Sequence, residues 1–366
     1  MSRLKKMVMN DEPQLVAPGI YRLSSTIVNV YFIGLPAGPW VLVDTGMPFS
    51  AGQIRQAAES LYGLDARPEA ILMTHGHFDH AGSVEELSRS WDVAVYAHPR
   101  EFPYLSGRCE YPPQDPTVGG FGGQMSRVYT NKPYNVAERL QALPEDGSLP
   151  MLQDWKWVFT PGHTPGHVSF FRERDRVLIA GDAIITMDIH NPAGLMGGHT
   201  GLWGPPEYFT PDWRMALKSI DKLALLKPKT LLTGHGDPLS YRGLDLDLVQ
   251  FADKYRPPLH GRYIPYAAEF AEDGSVLSVP PPVNDTLVTV LAGVGAGLVG
   301  LAAVYGAFKL NSNRKSRIEE RYRLHRTTID LPWNKRINRP AARSDRQYKP
   351  VTYSLMRKKR YDVEDR

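Results

Sequence analysis

The sequence predicts a layered α/β body followed by a membrane-like helix and a basic tail. Three observations predict it. Short apolar runs alternate with amphipathic helical stretches over residues 14–260. Four of those runs end in turns that carry histidine or aspartate. Beyond them, 23 uncharged residues precede a strongly cationic C-terminal stretch.

Taken in order, residues 1–13 are a polar extension with no apolar stretch behind Lys5 and Lys6 of the kind a secretory signal needs. Ile20-Tyr21-Arg22-Leu23, Val28 to Ile33 and Trp40 to Val43 read as strands, with Pro36 to Pro39 as a turn. Ser50 is placed to cap a helix through Tyr62, whose apolar face is Ile54, Ala57, Ala58 and Leu61. The apolar run Ala70 to Met73 follows, then a helix over Ala81 to Arg89 and a strand Val93 to Tyr96. Residues 99–150 break the periodicity with Pro, Gly and aromatics, as an active-site cover does. Strands are expected at Trp155 to Phe159, Val177 to Ala180 and Thr230 to Leu232. Thr210-Pro211-Asp212 reads as a helix start, with Thr as cap and Pro at the first helical position. A last helix over Leu246 to Tyr255 closes the body at residue 260, and residues 261–285 read as a Pro-rich linker.

Residues 286–308 hold no charge and five glycines; at about 1.5 Å per residue they reach the ~30 Å of a hydrocarbon core. Gly293 and Gly297 make a GxxxG pair suited to helix–helix self-association in lipid. The tail, 309–366, carries a net charge of +11 and is expected to be largely disordered and drawn to anionic lipid; the first 308 residues carry −7. These features place the chain at a membrane, through a single pass or a re-entrant segment, with the catalytic face cytoplasmic. The mildly acidic body argues against nucleic acid as a partner. Cys109 is the one cysteine, which excludes an intramolecular disulfide and a cysteine-based zinc site.

The chemistry is concentrated in Thr74-His75-Gly76-His77-Phe78-Asp79-His80. Residues two apart in an extended or tight loop project the same way, so His75 and His77 can grip one ion, while Asp79 and His80 suit a second nearby. Further donors follow singly, each after a strand-like run: His163 in Thr160-Pro161-Gly162-His163-Thr164-Pro165-Gly166-His167, Asp182 in Gly181-Asp182-Ala183, and His235 in Gly234-His235-Gly236. Five histidines and two aspartates are enough for two ions that share a carboxylate. His190 and His199 follow Asp182 but are surplus to that set, and read as wall or surface residues.

This ordered pattern, over about residues 14–260, resembles the metallo-β-lactamase-fold hydrolases, and Val43-Asp44-Thr45-Gly46 resembles their early strand-turn segment, where the aspartate supports the metal loop. The resemblance implies an αββα sandwich with metals at one edge, between the sheets. It implies a first ion on His75, His77 and His163, a second on Asp79, His80 and His235, and Asp182 bridging the two. Two zinc ions are expected, with iron or manganese as alternatives. The activity implied is hydrolysis of an ester, thioester, lactone or similar small substrate by a metal-activated hydroxide, with Asp79 orienting the nucleophile and later relaying its proton. Two roles are open to His167: assisting the leaving group or bracing its loop. Acyl-homoserine-type lactonases share His-Thr-Pro-Gly-His but carry a tyrosine shortly after the bridging aspartate, where this chain has Ile184-Ile185-Thr186. Two other readings share the pattern: an iron dioxygenase of sulfur compounds with a single metal, and a non-catalytic, membrane-tethered module.

Overall fold

The computed structural model describes residues 12–195 and 200–283. The chain divides into two units, Met1–Leu301 and Ala302–Arg366; the described residues all belong to the first, and the second lies outside them.

The N-terminal half supplies β1 (Gln14–Ala17), β2 (Ile20–Ser25), β3 (Val28–Gly34), β4 (Trp40–Val43), α1 (Ala51–Tyr62), β5 (Ile71–Leu72), α2 (Val84–Trp91), β6 (Val95–Ala97) and β7 (Leu140–Ala142). These strands form one seven-stranded sheet in chain order. It is antiparallel through β4 and parallel from β4 to β7. Next come β8 (Trp155–Phe159), β9 (Val168–Arg172), β10 (Val177–Ile179), the hairpin β11 (Ile185–Met187) and β12 (Thr200–Trp203), α3 (Trp213–Leu225), β13 (Thr230–Leu232) and α4 (Leu244–Lys254). A second sheet runs β13-β10-β9-β8, with β10 and β13 parallel.

Period-two alternation builds the layers. On β3, Val30 and Phe32 join Ile54, Ala58, Leu87 and Trp91 of the helices in one cluster. Tyr31 and Ile33 turn the other way and pack with Val168, Phe170, Val177 and Leu232 of the second sheet. That sheet's outer face, Phe171, Leu178 and Leu231, meets Ile220 and Leu223 of α3 and Leu248 of α4. The order is therefore helix, sheet, sheet, helix. Truncating Phe170, which is wholly buried between the sheets, would cost about 3–5 kcal/mol.

Several local expectations are corrected. The helix expected from Pro211 starts at Trp213, because the Asp212 carboxylate caps it by accepting from Met215 N at 2.9 Å. Thr210 donates its hydroxyl to Pro206 O instead. Ser50 does not cap α1 through its side chain, which pairs with Ser25 Oγ at 2.7 Å. The Pro-rich stretch from residue 261 is no free linker as far as residue 283. It includes strands β14 (Glu269–Phe270) and β15 (Val276–Ser278), and buried Tyr263 and Ala268 pack with Trp213.

The membrane placement is also corrected. Among the described residues no helix is long and apolar enough to cross a membrane, so no described element supports a membrane-like helix. The stretch 286–308 with Gly293 and Gly297, and the basic tail 309–366, lie outside the described residues.

Candidate metal centre

The parallel pairs β4–β5 and β10–β13 leave their C-terminal ends at one edge of the sandwich, where open α/β sheets place ligands. The chain crosses between the sheets there: Tyr31 OH donates to Thr233 O at 2.7 Å and Asn29 Nδ2 to the same carbonyl at 2.9 Å.

Asp44 follows β4 with φ of 59° and organises the histidine loop. Its Oδ1 accepts from Thr74 N at 2.8 Å, and its Oδ2 accepts from the Thr74 hydroxyl at 2.7 Å and faces His80 Nδ1 at 2.8 Å. Thr45 reaches the same loop through His80 O. The His80 ring is thereby fixed with Nε2 turned inward. His235 is fixed likewise, its Nδ1 lying 2.8 Å from Ile27 O. Two glycines are obligatory for steric reasons. A Cβ at Gly162, where φ is 132°, would fall 2.2 Å from Ala216 N, and one at Gly234 would fall 2.0 Å from Asp182 Oδ1.

All seven expected donors meet here and all are buried. They fall into three overlapping groups whose ligand atoms lie within 4.8 Å of one another: His75, His77 and His163; His75, His80 and Asp182; Asp79, His80 and His235. His77 Nδ1 and His163 Nε2 are 3.0 Å apart. Asp182 lies at the middle. Its Oδ2 is 3.1 Å from His235 Nε2 and 3.5 Å from His163 Nε2, and its Oδ1 is 3.3 Å from His80 Nε2.

The arrangement fits divalent cations. His75 Nε2, His80 Nε2 and Asp182 Oδ1 are buried without a hydrogen-bond partner, an expensive condition unless another group satisfies them. Burial pushes His77 down to about 4 and holds His75 and His163 well below the usual range, so these rings are neutral and keep lone pairs. Burial also opposes charge on His235, but Asp182 and Asp79 outweigh it and hold its proton up to about 10. Despite its burial, Asp182 stays well below the carboxylate range because of His235 and His80. A cation entering this site takes the place of those protons.

His167 is not among the clustered donors. It is fully buried; its Nε2 accepts from Asp182 N at 3.0 Å and its Nδ1 meets the Thr160 hydroxyl at 2.9 Å. Neither nitrogen is left for a substrate. His190 is outside the cluster too, with Nε2 3.6 Å from Glu207, and His199 lies outside the described residues.

Sequence reasoning missed Glu101. It is wholly buried and takes four donors: Gly76 N at 3.0 Å and Tyr111 OH on Oε2, Thr164 Oγ1 at 2.6 Å and Gly166 N at 2.8 Å on Oε1. It thus ties the His75–His77 turn to the His163 turn. Burial drives its carboxyl up to about 7 against those donors. No local motif announces it. A cavity of about 250 Å³ lined by Arg100, Thr164, Asp212 and Arg214 borders the same turn but includes none of the seven donors.

Residues 25–235 match the profile of the metallo-beta-lactamase superfamily. A probable metallo-hydrolase of Bacillus subtilis (strain 168), YflN, is 47% identical over 241 residues, covering 65% of this chain and 91% of that protein. A second from the same organism, YybB, is 31% identical over 55% of this chain and 77% of its own length. Among solved structures, the subclass B3 metallo-beta-lactamase BJP-1 of Bradyrhizobium japonicum is 22% identical over 69% of this chain and 93% of that chain, with a TM-score of 0.46.

Proposed function

The chain belongs to the metallo-beta-lactamase superfamily, and from that membership we propose a dinuclear metallo-hydrolase acting on a small ester, thioester or lactone. One observation carries the reading: seven buried donors converge, and three of their polar atoms have no hydrogen-bond partner among the described residues.

In this proposal His75, His77 and His163 would hold one ion, Asp79, His80 and His235 would hold the other, and the Asp182 carboxylate would be shared between them. Zinc is the metal we favour, because a histidine-rich set completed by aspartate oxygens suits it. Ions held there supply Lewis acidity, lowering the pKa of bound water toward about 7 and polarising the target oxygen.

The protein's own groups do the rest. Asp79 Oδ2, 3.4 Å from His235 Nε2, orients the attacking water and receives its proton. Asp44 keeps the proton of His80 on Nδ1, which leaves the Nε2 lone pair for a ligand bond. His167 positions Asp182 by accepting its backbone N–H. Thus His167 acts as a brace and Asp79 as the proton-handling group.

Elemental analysis of purified protein, followed by a panel of esters, thioesters and lactones, tests the reading. About two transition-metal ions per chain and hydrolysis lost on chelation are expected. One iron per chain with oxygen-consuming turnover overturns it.

A further inference from the structure

The cavity of about 250 Å³ beside the His163 turn has no part in the metal chemistry, since none of the seven donors lines it. Its volume is close to the lower end of ordinary ligand sites, ~300–1,000 Å³. It is walled by the turn around His163, the start of α3, the chain just after β6 and the chain at β14. Those walls are fastened to one another. Ser219 Oγ donates to Pro161 O at 2.7 Å, Asp212 N to Gly162 O at 3.2 Å and Ala268 N to Pro211 O at 3.0 Å. The turn between β14 and β15 rests on the backbone of Arg100, where a Cβ at Gly274 would fall 2.2 Å from Arg100 O. The space is therefore built into the fold.

Its polar lining is unbalanced. Thr164 spends its hydroxyl hydrogen on Glu101 Oε1 at 2.6 Å. Asp212 Oδ1 accepts from Met215 N at 2.9 Å, and its charge is offset there by the start of α3. Arg100 and Arg214 differ from both: among the described residues neither guanidinium has an ion-pair partner. Arg100 has its guanidinium carbon 6.0 Å from the Phe159 ring centroid, a cation–π contact that consumes no N–H. Two forks of N–H donors thus border one cavity whose single carboxylate is already engaged. Much of the remaining lining, Pro161, Pro165, Met215 and Phe270, is apolar.

We propose that this cavity is a second ligand site, separate from the metal centre, for a small organic anion. The ligand is a carboxylate or phosphate monoester whose charged head pairs with Arg100 and Arg214 and whose apolar body covers Pro165, Met215 and Phe270. Guanidinium forks match either head group. The apolar body adds affinity by taking carbon surface out of water. The site stands whether or not the metal centre is a hydrolase.

The test is calorimetric titration of the metal-loaded, full-length protein with phenyl phosphate, benzoate, inorganic phosphate and benzyl alcohol. We expect phenyl phosphate or benzoate to bind at one site per chain, and the tighter of the two identifies the head group. Benzyl alcohol lacks the charge and inorganic phosphate lacks the apolar body, so each should bind about tenfold more weakly or worse. Arg100→Gln and Arg214→Gln should each weaken the organic anion about tenfold, with metal content per chain as the control for folding. An anion held by the metals instead would be insensitive to both substitutions. Affinity unmoved in either variant, benzyl alcohol or inorganic phosphate bound as tightly as the organic anion, or no binding of either organic anion overturns the proposal.

Discussion

Asp44→Asn is the most searching single change, because it alters one atom and leaves shape intact. The carboxylate receives Thr74 N on Oδ1, and the Thr74 hydroxyl and His80 Nδ1 on Oδ2. An asparagine must choose. If its oxygen keeps the backbone N–H, its amide nitrogen faces His80 Nδ1 and donates to it. The His80 proton then moves to Nε2, the atom that turns toward the metal site and lies 3.3 Å from Asp182 Oδ1. If the amide flips, His80 is preserved but Thr74 N faces another donor, which costs about 1–3 kcal/mol of stability. Either way the loop is penalised. Loss of a partner behind a ligating histidine typically lowers metal affinity about 10- to 100-fold, or about 1.4–2.7 kcal/mol. Competition against a chelator of known affinity, with metal counted per chain, reads the loss directly. Metal affinity and unfolding free energy both equal to those of the unchanged protein would refute the assignment of Asp44 as the group that sets the His80 tautomer.

Three further outcomes are expected. Asp182→Ala removes the carboxylate lying within 3.5 Å of His80, His163 and His235; hydrolysis should be abolished and bound metal should fall by one ion or more, and retention of both would mean another group bridges. His190→Ala should keep its full metal content, because this half-exposed ring faces Glu207 and not the cluster; loss of a metal equivalent would show the ligand set to be misassigned. Glu101, whose carboxyl is raised from 4.5 to about 7 by burial, binds its proton more tightly folded than unfolded. Its contribution is therefore present below about pH 4.5 and lost as pH climbs through about 7, a fall of roughly 3 kcal/mol. Glu101→Gln should flatten that limb in urea unfolding of chelator-treated protein, and an unchanged slope would refute the shift.

The clustering of the seven donors was legible in the sequence because its geometry is local. Four donors share one six-residue turn, and the other three each follow a short strand beside a glycine, so strand ends alone bring them to one edge. The layers were legible for the same reason, since alternation on β3 already assigns Phe32 and Tyr31 to opposite faces. What escaped depends on partners far along the chain. Glu101 meets residues 25 and 65 positions away, and Tyr263 meets Pro113 across 150 positions. The prolines after residue 256 suggested a linker because they cannot continue a helix or a sheet ladder. Yet Tyr263 and Ala268, which lie among those prolines, are buried against Trp213, a contact that no local pattern announces.

Stability and chemistry are linked at this edge. Sheet one contributes Asp44, Asn29, Tyr31 and the histidine loop; sheet two contributes Asp182, Thr233 and His235. Between them lies the core of Ile33, Phe170 and Leu232, which fixes the spacing of the two halves. A cavity opened in that core shifts the halves against each other by fractions of an ångström, as packed interiors relax only in part. Ligand bonds to a metal tolerate only about 0.2 Å. The reverse also holds: without ions, His75 Nε2, His80 Nε2 and Asp182 Oδ1 have no hydrogen-bond partner among the described residues, and that cost falls on the folded state alone. Metal binding is thus part of the free energy that keeps the two sheets together. Chelation should lower the cooperativity of unfolding as well as its midpoint, with the edge around His235 opening first in hydrogen exchange. Uniform protection across both sheets after metal removal would show that the apolar core alone holds this edge closed.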